Sequence, residues 1–170
     1  MKEAIKPPIE GLEIRYSTLD DGVYIKQWSM EPGVSRGFPF KTEAEIDDSV
    51  RFWIGFSRYK SSLTTTLNGE VCGIATLVLM PYIKVAHHAL VSIIVGGKFR
   101  GQGIGTYLLN NLCHLAKNHF RLELLYLEVY EENKAINLYR RFGFMEVGRQ
   151  NHYYKEDGHY LAKITMERYL

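Results

Sequence analysis

The stretch Arg100-Gly101-Gln102-Gly103-Ile104-Gly105-Thr106 is the most informative feature of this chain. It follows an apolar, β-branched run, His88-Ala-Leu-Val-Ser-Ile-Ile-Val95, which reads as a strand. It opens a segment with helical periodicity, Tyr107-Leu-Leu-Asn-Asn-Leu-Cys-His-Leu-Ala116. A glycine-rich turn from strand to helix is a phosphate cradle. Backbone N–H groups converge there, and the positive end of the helix dipole faces the ligand. Glycine lets the backbone approach phosphate oxygens without a Cβ in the way. Arg100 adds a charge that can fork onto those oxygens. The pattern predicts a phosphorylated ligand. It is neither Gly-x-Gly-x-x-Gly nor a Gly-Lys-Ser/Thr loop, which argues against other nucleotide-binding folds.

The rest of the composition narrows the class. A chain of 170 residues, 46% hydrophobic and 24% charged, suits one globular domain over 1–170. A net charge of +2 without a clustered basic face excludes general nucleic-acid binding. No apolar run reaches the roughly 18 residues of a membrane helix, and the start lacks a signal-peptide core. Cys72 and Cys113 lack metal spacing and sit in apolar patterns, so they read as buried thiols. No His/Cys/Asp set has ligand spacing, so no metal is expected. A cytoplasmic location follows as the default.

Periodicity orders the elements around the glycine turn. Leu12–Ser17 alternates like a first strand, and Asp20 and Asp21 can cap a helix to about Met30. Pro32 to Pro39 reads as a loop, with Phe38 and Phe40 exposed. Thr42 and Glu45 form a capping-box pattern opening a helix to about Tyr59. Ser62–Leu67 and Val71–Met80 read as a hairpin about Asn68-Gly69. Beyond the glycine-turn helix come a strand at 123–130, a short helix at 133–142 and a hairpin about Asp157-Gly158. The order is β-α-α-β-β-β-α-β-α-β-β, an α/β fold with a mixed central sheet of about seven strands flanked by helices.

A second motif joins the first: Leu127-Glu-Val-Tyr-Glu-Glu-Asn-Lys-Ala-Ile-Asn-Leu-Tyr139-Arg-Arg-Phe-Gly143-Phe144. With both in order, nearly the whole chain resembles the GNAT acyltransferase superfamily. The resemblance implies an N-acetyltransferase that moves an acetyl group directly from acetyl-CoA to a primary amine. The acceptor would be a small molecule or a protein amino group. Arg100, Gly101, Gln102, Gly103, Ile104, Gly105 and Thr106 would hold the pyrophosphate of CoA. Ile93, Ile94 and Val95 would bind pantetheine along a strand edge that splays from strand 123–130. An N–H near Val95 would polarise the thioester carbonyl. Asn133 would contact CoA, and Tyr139 would protonate or hydrogen-bond the departing thiolate. The resemblance also admits a homodimer.

The chain departs from the family pattern at three points. Gly96-Gly97 stands where a residue such as Pro is usual. The separation of six from Asn133 to Tyr139 is one residue short of the common pattern. Leu90 occupies the position where many members carry a glutamate base. The remaining base candidates are Glu128, which alternates away from Leu127 and Val129, and His87 or His88; Ser92 could position a water. Transfer without a dedicated base also stays open. Acids (Glu31, Glu43, Glu45, Asp47, Asp48) and aromatics (Trp28, Phe38, Phe40, Trp53, Tyr153, Tyr154) on the acceptor side suit a cationic amine. They equally suit a solvated helix face and helix cores. Leu90 and the shortened spacing motivate one rival reading, a non-catalytic acyl-CoA-binding regulatory module.

Overall fold

A computed structural model describes residues 5–32, 34 and 37–170. The strands are β1 (Leu12–Tyr16), β2 (Ser62–Leu67), β3 (Glu70–Leu79), β4 (His88–Val95), β5 (Leu124–Tyr130), β6 (Met145–Glu156) and β7 (His159–Tyr169). The α-helices are α1 (Gly22–Ser29), α2 (Glu43–Gly55), α3 (Ile104–Asn118) and α4 (Ile136–Arg141). All seven strands form one sheet in the order β1-β2-β3-β4-β5-β7-β6. Pairing is antiparallel except between β4 and β5.

The hairpins form where turn chemistry demands them. Asn68 and Gly69 both take positive φ, as do Asp157 and Gly158, the backbone a two-residue primed turn needs. Alternation along the strands then sorts side chains into two layers. Leu125, Leu127 and Val129 join Leu108, Leu109 and Leu112 of α3 and Ile136 and Tyr139 of α4. On the opposite face Ile74 and Ile94 pack with Ile25, Trp28, Trp53 and Ile54 of α1 and α2. Gly73 permits α3 to lie close on β3, since a Cβ there would meet Leu108 Cδ1 at 2.8 Å.

Three local expectations change. The 133–142 helix begins at Ile136, because Asn133 closes a turn ahead of it instead. The second helix ends at Gly55 and tightens into a 3-10 turn over Phe56–Tyr59. Phe38 and Phe40 are half-buried, not exposed. They stack at 5.1 Å, and Phe38 meets the Trp53 ring edge-on at 5.3 Å. The Pro32–Pro39 loop includes Gly33, Ser35 and Arg36, which lie outside the described residues.

The β4–β5 junction positions the site. Their parallel ladder covers only His88–Leu90 against Leu124–Tyr126. Beyond it, β4 runs on to Val95 and β5 to Tyr130 without pairing. The sheet therefore opens in a wedge at the C-terminal ends of the two strands, beside the start of α3.

Candidate active site

The wedge leads into a cleft of about 1000 Å³. Ile93, Ile94 and Val95 form one wall; Arg100, Gly101, Gly103, Ile104, Gly105 and Thr106 form the floor; Asn133 and Tyr139 face them. Two expected residues lie elsewhere. Gln102 is not in the lining, and its side-chain amide donates to Lys98 O at 3.0 Å. Glu128 is also outside it.

The floor is built to receive an anion. Gly101 and Gly103 have φ of 75° and 83°, a left-handed backbone that would strain any residue with a Cβ. Gly103 is the N-cap of α3, with no side-chain cap and no acid in the first turn. The first N–H groups of this long helix thus point at the cleft with the positive end of its dipole. Arg100 folds its Nε onto Val95 O at 3.0 Å, which ties the cradle to the end of β4; among the described residues its terminal nitrogens have no hydrogen-bond partner and can donate. The donor set and the glycine floor fit a pyrophosphate. The unpaired β4 edge fits an extended polar arm with amide groups, which can add to a strand as another strand does.

The opposite wall explains the spacing of the second motif. Asn133 Oδ1 accepts from Ala135 N–H at 2.9 Å, an Asx-type turn that starts α4. Its carboxamide is thereby committed on one side, while its Nδ2 lies beside Gly37 of the α1–α2 loop. Tyr139 is only 7% exposed and packs edge-on against Phe144. Burial pushes its phenol up to about 12. The hydroxyl is therefore neutral, a donor, throughout the ordinary pH range.

Glu128 sits on the face opposite Leu127 and Val129, the face that Tyr130 also occupies. Its carboxylate accepts from Lys163 Nζ at 2.8 Å, and that ammonium lies 3.9 Å from the Tyr153 ring centroid. His88 contacts the Tyr126 ring, with centroids 5.3 Å apart, well down the paired part of β4.

Most of the acids proposed for the acceptor side have other partners. Glu43 and Asp47 hold Lys26, Asp48 pairs with Arg51, and Glu45 caps α2. Trp28 and Trp53 belong to the core. The acids that do line the cleft are Glu132, Glu156 and Asp157, with Tyr130, Lys134 and His159. The hairpin tip closes over the α2 approach, where Lys41 Nζ lies 3.8 Å from Asp157 Oδ1. Only the fold brings these residues together; a sequence signal existed for the Asp157-Gly158 turn but not for its place above the cleft.

Comparison with known proteins agrees with this layout. The acetyltransferase (GNAT) family model matches residues 23–144. An N-alpha-acetyltransferase of Sulfurisphaera tokodaii is 40% identical over 128 residues, which are 70% of this chain and 65% of that protein. The chain thus spans somewhat less than two thirds of that relative's length. A ribosomal-protein-alanine N-acetyltransferase from Brucella melitensis superimposes with a TM-score of 0.79 at 24% identity, over 93% of this chain and 99% of that one. A Salmonella typhimurium structure, described as an acetyltransferase with its cofactor acetyl-CoA, gives 0.77 at 18% identity over 95% of each chain. The last two speak to the fold. Since the family match runs from α1 through α4 and takes in both the glycine cradle and Tyr139, the chain belongs to the GNAT acetyltransferase family.

Proposed function

We propose that this protein is an N-acetyltransferase that carries an acetyl group from acetyl-CoA to a primary amine. The observation that carries the reading is the glycine floor under an uncapped α3, opening directly onto the unpaired edge of β4. Arg100 and the N–H groups of 103–106 hold the pyrophosphate; Ile93 to Val95 take the pantetheine arm. Acetyl-CoA supplies an activated thioester. An N–H at the end of β4 then stabilises the tetrahedral oxyanion.

Tyr139 sits where the sulfur departs. A phenol at about 12 lies roughly 3.5 units above a thiol near 8.5, so full proton transfer to the thiolate is uphill by about 5 kcal/mol. Its role is to donate a hydrogen bond to the developing thiolate. Glu128 is the base. Tyr130 lines the cleft, and Glu128 lies two residues away on the same strand face, about 7 Å along. One or two waters span that distance and carry the ammonium proton to the carboxylate. Lys163, itself seated over the Tyr153 ring, fixes the carboxylate's orientation.

The acceptor is a protein or peptide α-amine. The name of the 40% identical relative supports this choice, as do the acids at the cleft mouth, Glu132, Glu156 and Asp157. They attract a cation before it is deprotonated. The cytoplasm is the proposed location; Cys72 and Cys113 are free thiols, as that compartment favours. Among the described residues no helix is long and apolar enough to cross a membrane.

The test is a titration with acetyl-CoA followed by a panel of amines: free α-amine peptides, lysine peptides, polyamines and amino acids. Release of the CoA thiol by the α-amine peptides is the expected result. Release by polyamines alone would overturn the acceptor assignment. Tight binding without release by any member of the panel would favour the regulatory module.

A further inference from the structure

The Gly96-Gly97 pair links the pantetheine edge of β4 to the phosphate cradle, and α1 grips it from behind. Gly97 N–H donates to Glu31 Oε2 at 2.8 Å, across 66 residues of sequence. A Cβ at Gly97 would stand 2.6 Å from that same oxygen, and one at Gly96 would stand 2.6 Å from Trp28 Nε1. Trp28 is 4% exposed and belongs to the core, so it cannot move aside. Neither glycine adopts a left-handed backbone. What requires glycine here is the approach of Trp28 and Glu31, not the turn itself.

The consequences run into the cradle. Phe99 N–H donates to Gly96 O at 2.9 Å and Arg100 N–H to Gly97 O at 3.3 Å. The carboxylate of Glu31 therefore caps the tight turn that delivers Arg100. Arg100 in turn holds Val95 O. Glu31 also heads the α1–α2 loop, whose Val34, Gly37 and Phe38 line the acceptor side of the cleft. Glu31 itself is not in that lining.

We propose that Glu31 is a positioning residue: it anchors Gly97 N–H and so sets the phosphate cradle relative to the acceptor-side loop. The proposal rests on the reading of the cleft as an acetyl-CoA site. Truncation releases the turn, and the cradle loses its preset geometry. Glutamine keeps an oxygen in place and preserves it. A methyl group at Gly97 pushes the carboxylate out and mimics truncation.

Acetyl-CoA affinity by calorimetry in the full chain tests this, with thermal midpoints in parallel. Glu31→Ala and Gly97→Ala should each weaken binding about tenfold, the scale of one hydrogen bond to a charged group. Glu31→Gln should bind nearly as the wild type. The double variant Glu31→Ala/Gly97→Ala should be no worse than Glu31→Ala alone, since the methyl then has room. A purely structural role would lower the midpoints of Glu31→Ala and Gly97→Ala and leave the acetyl-CoA affinity of the folded protein unchanged. Unchanged affinity in Glu31→Ala, or losses that multiply in the double variant, would overturn the proposal. A wild type that does not bind acetyl-CoA would overturn the reading of the cleft beneath it.

Discussion

Tyr139 sits within the six-residue helix α4 and is buried by Phe144 and the α3 layer. Burial that raises its phenol to about 12 makes it a poor acid and a dependable donor. Tyr139→Phe removes only the hydroxyl, so acetyl-CoA affinity should hold within about twofold. Turnover should fall by about ten- to a hundredfold, as expected for one hydrogen bond to a developing anion. Parallel calorimetry and thiol-release assays check the split. Because the raised value keeps the phenol protonated, wild-type turnover should show no alkaline loss from this group below about pH 11. Glu128→Gln should lower turnover more than tenfold with acetyl-CoA affinity unchanged; turnover within twofold of wild type would remove it as the base. The place of Tyr139 in the cleft was legible in the sequence through its position before Gly143-Phe144. Glu128 was legible only as an alternating strand residue. Its Lys163 partner lies on a neighbouring strand, and register across strands is set by tertiary pairing.

Among the elements, β4, the glycine turn and α3 form the unit proposed to carry the cofactor. Their order was readable because each has a strong local signal: β-branched residues, alternating glycines, then apolar helical spacing. The wedge between β4 and β5 was not readable from local pattern, since neither strand carries a residue that forbids pairing beyond Leu90. It was expected on the family resemblance alone. The glycines of the turn are not equivalent. Gly103 has a φ of 83°, and among the described residues a Cβ there would meet only Pro8 Cγ, at 3.8 Å. Gly103→Val therefore strains the backbone as well as intruding on the ligand, and should destabilise the fold by about 1–3 kcal/mol. Gly105 is helical, and a methyl there meets Leu138 Cδ2 at an ordinary 3.5 Å. Gly105→Ala should keep or raise the thermal midpoint. The expected order of acetyl-CoA affinity is wild type, then Gly105→Ala, then Gly103→Val, the last down by more than tenfold; calorimetry and thermal melts separate the two effects.

At the scale of the whole molecule, the sheet separates a layer on α3 and α4, the proposed cofactor side, from a layer on α1 and α2, the proposed acceptor side. The two layers must keep their relative position for one cleft to serve two substrates. Asp21 fixes the start of α1 to the sheet. It is 3% exposed, it pairs with Arg15 through both oxygens at 2.7 Å, and it accepts from Thr18 N–H and Thr64 Oγ1. Burial alone would raise its carboxyl, but the Arg15 pairing and those hydrogen bonds outweigh it and hold the group below the usual carboxylate range. A lowered folded-state value means that the stabilisation is complete above the unfolded value near ~4 and is lost as pH falls below it. Asp21→Asn should cost about 2 kcal/mol at neutral pH, since Arg15 is left without its partner. The variant should also melt with a flatter acid limb than the wild type, as thermal unfolding across pH will show. Nothing in the sequence marked Asp21 beyond its capping position, because Arg15 and Thr64 meet it only once β1 and β2 pair.

The most direct test of the account is a single-turnover measurement with enzyme in excess of acetyl-CoA. A peptide with a free α-amine is added, and the same peptide with a blocked amine serves as the control. Release of about one CoA thiol per acetyl-CoA is expected, with the acetyl group recovered on the free amine and none released by the blocked peptide. Bound acetyl-CoA that survives the free α-amine peptide unchanged would contradict acetyl transfer to an α-amine.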